Sequence, residues 1–183
     1  DVEELLDRVT KRVEKALREL RKKVRELKEE NRKSVEELEE TSKRLKKEVD
    51  DVERRLEAGN VDEEVLKRLR DILRDIRRKL KEVTDRNRDS ARRSREELER
   101  VLEDVERIIR EAKRRLEEVR RIKDREKLKK VLEEIEKILK EIEDKVRRVI
   151  EKSRRINEEN KETNRRVIED VRRLLKKAEE DLR

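Results

Sequence analysis

The side chains in this chain that can do chemistry are carboxylates, lysine and arginine cations, hydroxyls and amides. The other reactive types are missing. There is no Cys, which excludes a disulfide, a thiol nucleophile and a thiolate metal site. There is no His, which removes the imidazole base and the common zinc sites. A single Gly rules out a glycine-rich phosphate cradle and a dinucleotide fingerprint. The 52 carboxylates are interleaved with 60 lysines and arginines, the pattern of solvated helix faces rather than of paired catalytic acids. The expectation is no catalytic residue, no cofactor and no metal.

What remains is a concentration of small polar side chains. Thirteen of the fifteen Ser, Thr and Asn residues fall in three windows, Asn31 to Ser42, Thr84 to Ser94 and Ser153 to Asn164. Most lie on an apolar seam near the middle of a long helical stretch. That is the place for a buried hydrogen-bond network, not for turns. Such a network does a structural job and performs no reaction.

The elements that position these windows follow from composition and spacing. Charged residues make up 61% of the chain, against roughly 25% in ordinary globular proteins. Apolar or small polar residues of the first segment recur in steps of three and four from Val2 to Leu56, one face of a helix. The average step of 3.6, rather than 3.5, predicts a nearly straight seam. The second segment repeats the pattern from Leu69 to Val119, and the third from Leu128 to Leu182. The expected helices cover about 1–58, 62–121 and 124–183, each about 85 to 90 Å long at 1.5 Å per residue. Asp1 with Glu4 reads as a capping box. Gly59 is placed to take the left-handed position that ends the first helix. Asp62 then caps the second, with Val61 and Leu66 spaced as a hydrophobic staple, and Asp124 caps the third after a short break at Ile122 and Lys123.

Two helices folded back on each other put residues face to face whose position numbers have a constant sum. For the first pair the sum 118 matches Val9 with Ile109, Val13 with Val105, Leu20 with Leu98 and Val49 with Leu69. For the second pair the sum 247 matches Ile76 with Val171, Leu98 with Val149, Val105 with Ile142 and Val119 with Leu128. Half of each sum falls on a proposed loop. The polar residues obey the same sums. Asn31, Asn87 and Asn160 make one expected layer, and Ser34, Thr84 and Thr163 the next. Ser90 is expected to face Asn157, and Ser94 to face Ser153, while Asn164 sits level with Val35 and Val83. Ser42 aligns with apolar residues, so it and Thr41 are expected to bond back to their own helix carbonyls. The expected fold is all-α: a single-chain, antiparallel, up-down-up three-helix bundle over residues 1–183, with long, nearly straight helices.

On these residues the chain resembles de novo designed helical bundles with buried hydrogen-bond networks. The resemblance rests on the 3.6-period seams, the scarcity of Ala, and the Glu, Lys and Arg surface. It rests also on the short loops before Asp62 and Asp124 and on the matched Asn31, Asn87 and Asn160. It implies a structural scaffold with specified helix pairing and no natural substrate. Many such proteins are two-helix hairpins that assemble as oligomers, whereas here the third helix is supplied covalently.

The remaining expectations concern partners. The net charge of +8 is diluted among alternating signs, and no aromatic is present on which a base could stack. A dedicated nucleic-acid role is therefore not expected. No apolar run exceeds two residues, so neither a membrane span nor a signal-peptide core is expected. With no targeting signal, the expectation is a soluble monomer, as if expressed in a cytosol, that requires no partner. The competing expectation is an interaction module that accepts an external helix or exchanges its third helix with a second copy.

Overall fold

The computed structural model describes residues 2–182, which form three α-helices of 57 residues each. They are α1 Val2–Ala58, α2 Glu63–Val119 and α3 Arg125–Asp181. No strand occurs among the described residues. The expected cap at Asp1 and the final residue Arg183 lie outside the described residues.

The helices form because nothing in their interiors interrupts them and their outer faces reinforce them. The lone Gly lies in a loop, and there is no Pro. Seven times an Asp is paired with an Arg three residues later, at Asp51–Arg54, Asp71–Arg74, Asp75–Arg78, Asp89–Arg92, Asp104–Arg107, Asp144–Arg147 and Asp170–Arg173. The acid always stands on the N-terminal side, the order that suits the helix dipole. Each such surface pair contributes at most about 0.2–0.5 kcal/mol. Helices this charged depend on their buried stripe for most of their stability.

Both connections are short, and they differ in chemistry. Asp124 caps α3: its Oδ1 accepts from the backbone N–H of Glu126 at 3.1 Å, and its carbonyl accepts from Leu128 at 3.0 Å. Asp62 occupies the same place before α2, its carbonyl accepting from Leu66 at 2.8 Å. The end of α2 tightens, with Arg121 bonding back to Glu118 and Ile122 to Val119, both at 3.0 Å. That tighter turn satisfies two carbonyls and ends the regular helix at Val119. The left-handed conformation expected at Gly59 is not adopted, because no described residue has a positive φ. Gly59 contributes space instead. A Cβ there would lie 3.2 Å from the Arg55 carbonyl oxygen and 3.4 Å from Val61.

The chain divides into two compact units, each with its own apolar core. The first contains α1 up to Glu29 together with Ser94–Arg155. Val9, Val13, Leu98, Ile109, Leu132, Ile135 and Leu139 are almost completely buried there. The second contains Glu30–Arg93 and the part of α3 from Ile156 onward. It buries Leu56, Leu69, Leu73, Ile76 and Leu80. Each fully buried aliphatic side chain contributes about 1.5–3 kcal/mol, several times a surface ion pair.

Ion pairs between helices record the direction and register of the strands of the bundle. Between α1 and α2, Arg21–Glu106, Lys28–Glu99, Arg88–Glu39 and Arg77–Asp50 all have position numbers adding to 127. Between α2 and α3, Lys152–Glu97, Lys79–Asp170 and Arg68–Asp181 all add to 249. Constant sums mean antiparallel neighbours. Between α1 and α3 it is the difference that stays nearly constant, 128 for Arg8–Glu136 and 131 for Arg12–Glu143, as parallel neighbours require. The bundle is therefore up-down-up. In Asp124→Ala the α3 cap is lost, which should cost about 1 kcal/mol. Asp124→Asn should retain nearly all of it, and urea unfolding of the two variants separates the cap bond from a general surface effect.

Candidate functional site

The small polar positions are where this chain departs from an all-aliphatic bundle, and they are its candidate site. Nine of the eleven lie in the second unit: Asn31, Ser34, Thr84, Asn87, Ser90, Asn157, Asn160, Thr163 and Asn164. Ser94 and Ser153 lie in the first. Asn31, Ser34, Asn87, Ser94, Ser153 and Asn157 are buried, and Thr84, Ser90, Asn160, Thr163 and Asn164 are half-buried.

Among the described residues, three side-chain bonds between these small polar residues join α2 to α3. Ser94 and Ser153 share a hydrogen bond of 2.9 Å in which either hydroxyl can donate. Asn160 donates through Nδ2 to the Ser90 hydroxyl at 2.7 Å. Asn164 donates through Nδ2 to Asn87 Oδ1 at 3.0 Å. The serine pair keeps the sum 247 read from the apolar seam. The two asparagine bonds add to 250 and 251, one helical turn further on, so Asn160 bonds Ser90 and Asn87 bonds Asn164.

The offset has a geometric cause. Every side chain on an α-helix leans toward that helix's N-terminus. On antiparallel helices the two leans point in opposite directions. Long side chains therefore meet partners whose numbers add to more than the backbone sum. Ser94 and Ser153 show no offset, whereas the ion pairs between the same helices are offset by two and the two asparagine bonds by three and four.

Two hydroxyls differ from expectation more sharply. Thr84 donates from Oγ1 to the Leu80 carbonyl of its own helix at 2.7 Å, and Thr10 does the same to Leu6 at 2.9 Å. The β-branch confines χ1 and holds the hydroxyl beside the carbonyl four residues back. Ser42, expected to bond in this way, does not. Its Oγ is buried with no hydrogen-bond partner, and the residue is 3% exposed. Serine lacks the second branch that holds threonine in place. The Nδ2 of Asn87 is likewise buried without a partner.

The interhelical ion pairs were not anticipated from the residue pattern, although their constant sums are a property of the sequence. Arg12 grips Glu143 with two bonds, Nε to Oε1 at 3.2 Å and Nη2 to Oε2 at 3.1 Å. This hydrogen-bonded carboxylate raises the Arg12 pKa further above its ordinary value. The Lys79 ammonium is raised by its hydrogen bond to Asp170, and the Asp170 carboxyl is lowered by the same contact. The hydrogen bond from Lys28 similarly lowers Glu99. No cluster of three or more potential ligands suited to a metal ion occurs among the described residues. Among the described residues, no helix is long and apolar enough to cross a membrane.

No family model and no curated protein matches this chain. A solved structure described as a computationally designed three helix bundle is similar to it at 23% identity over 99% of this chain and 91% of that one, with a TM-score of 0.44. A TM-score this low carries no property of that protein over to this one.

The same substitution should act with opposite sign at two serines. Ser42→Ala removes a buried hydroxyl that has no partner and should raise stability by about 1 kcal/mol. Ser94→Ala strands the buried Ser153 hydroxyl and should lower stability by about 1–3 kcal/mol. Equal shifts of the two urea midpoints would contradict this bonding pattern. A second expectation concerns pH. The lowered carboxyls of Asp170 and Glu99 contribute stability that is complete above the ordinary carboxylate range and is lost as pH falls through their lowered values. The raised Lys79 contributes stability below the ordinary lysine range, lost only as pH rises through its raised value. With no His or Cys in the chain, the urea midpoint should be flat from about pH 5.5 to 9 and fall below about pH 4.

Proposed function

We propose that residues 1–183 are a designed structural scaffold with no natural biochemical activity, in which buried polar positions specify helix register and pairing. The observation that carries this reading is the run of three α2–α3 bonds, Ser94–Ser153, Ser90–Asn160 and Asn87–Asn164, on successive turns. A slip of one turn would set an end of this run, Asn87 or Ser94, against an aliphatic side chain such as Ile168 or Ile150, and longer slips would strand more donors. Wrong registers are penalised in this way even when the aliphatic seams still match. Replacing such groups by aliphatic residues of similar volume is often neutral or stabilising, so selection explains them better than stability does.

The scaffold reading includes a monomer that needs no partner. It is supported by the absence of exposed large hydrophobic side chains among the described residues. The alternative is a module that accepts an added helix or exchanges its third helix. What favours it is the unpartnered Asn87 Nδ2, a donor that a different neighbour would satisfy.

Light scattering on absolute scale over a dilution series tests the first point. A constant mass of 22.6 kDa is expected, and a doubled mass would favour helix exchange. The polar positions are tested by replacing Asn87, Ser90, Ser94, Ser153, Asn160 and Asn164 together with aliphatic residues. That variant should unfold at higher urea yet elute as a mixture of assembly states. A variant that remains a single species with an unchanged midpoint would show that these residues select nothing.

A further inference from the structure

We propose that the groove between α1 and α3 in the first unit binds a fatty-acid anion, with the alkyl chain on its apolar floor and the carboxylate between Lys23 and Arg154. The groove has a volume of about 420 Å³, within the range of small-molecule sites. Its floor is formed by Ala16 and Leu20 of α1 and by Ile142, Val146 and Ile150 of α3, with Val105 of α2 beneath.

Ala16 is the cause of the opening. It occupies a seam position where its neighbours are Val13 and Leu20, and it supplies a methyl group in place of a branched side chain. The α1–α3 ion pairs differ by 128 and 131 in position, which puts Ala16 level with residues 144 to 147. The seam of α3 opens there. Leu132, Ile135 and Leu139 are at most 1% exposed, whereas Ile142 and Ile150 are 6% and 5% exposed and Val146 is only half-buried. The floor from Ile142 to Ile150 runs about 12 Å along the helix, a length that suits an extended medium-length acyl chain.

Charge on the rim selects the head group. At the Ile142 end Arg12 is committed to Glu143. Lys15 lies 4.0 Å from Glu19, and Arg147 lies 3.7 Å from Asp144. At the other end Lys23 and Arg154 line the groove against one carboxylate, Glu151. A single anion placed there balances the surplus cation, and its chain extends over the floor toward the Arg12–Glu143 pair.

The test is calorimetric titration of the intact chain with octanoate, decanoate and dodecanoate below their micelle concentrations, together with NMR of the Ala16 methyl group. Binding of one anion per chain is expected. Affinity should rise about fourfold per added methylene, the Ala16 resonance should shift saturably, and helicity should be unchanged. Ala16→Leu should fill the floor and weaken dodecanoate binding at least about tenfold. Lys23→Glu combined with Arg154→Glu, two surface changes that leave the floor intact, should weaken dodecanoate but not dodecanol. The proposal is overturned by titrations that do not saturate, by unaltered affinity in both variants, or by equal binding of dodecanol and dodecanoate. Loss of helicity on binding would overturn it, as would a mass that doubles with concentration in the absence of fatty acid, which would assign the groove to a second copy.

Discussion

A polar side chain buried on a helix can satisfy itself only where the helix points it, and the polar half of this structure depends on that constraint. Side chains lean toward their own N-terminus. On the antiparallel helices α2 and α3 the leans oppose, so Asn87 finds Asn164 and Ser90 finds Asn160, each about a turn beyond the position directly opposite. Ser94 and Ser153 are too short to lean far, and they meet directly.

Magnitudes decide what these bonds are for. A satisfied hydrogen bond contributes about 0.5–1.5 kcal/mol net, and a buried group left without a partner costs about 1–3 kcal/mol. Three α2–α3 bonds set against two orphans, Ser42 Oγ and Asn87 Nδ2, come close to cancelling. The stability of each unit therefore resides in its aliphatic core, in residues such as Leu132 and Leu139 or Leu73 and Leu80. In the proposed scaffold the polar residues contribute little to the depth of the folded state and act by raising the energy of its competitors. That division of labour is what the proposed scaffold requires.

Much of the architecture was legible in the sequence because two independent signals agreed: steps of three and four along each seam, and loop residues at half of each register sum. Asp124 was identified as a cap and is one. The partners of the polar residues were legible only to within one turn. A seam that repeats every three or four residues matches itself nearly as well after such a shift, so the pattern alone does not choose between the matches. Thr84 was assigned to a layer although a β-branched hydroxyl has a local acceptor always within reach, as Thr10 also shows. Ser42 was assigned that local acceptor and lacks it. Gly59 was read as a left-handed cap because glycine permits that conformation, yet what its site uses is the missing Cβ, close against the Arg55 carbonyl.

The parallel pair behaves differently, for the same reason. On α1 and α3 the side chains lean the same way, so leaning introduces no offset between facing positions. The ion pairs Arg8–Glu136 and Arg12–Glu143 differ by 128 and 131 in position, less than one turn apart. Ala16 of α1 and Val146 of α3, both only half-buried, line the groove of the first unit, where a short side chain stands on a seam otherwise filled by Val13 and Leu20.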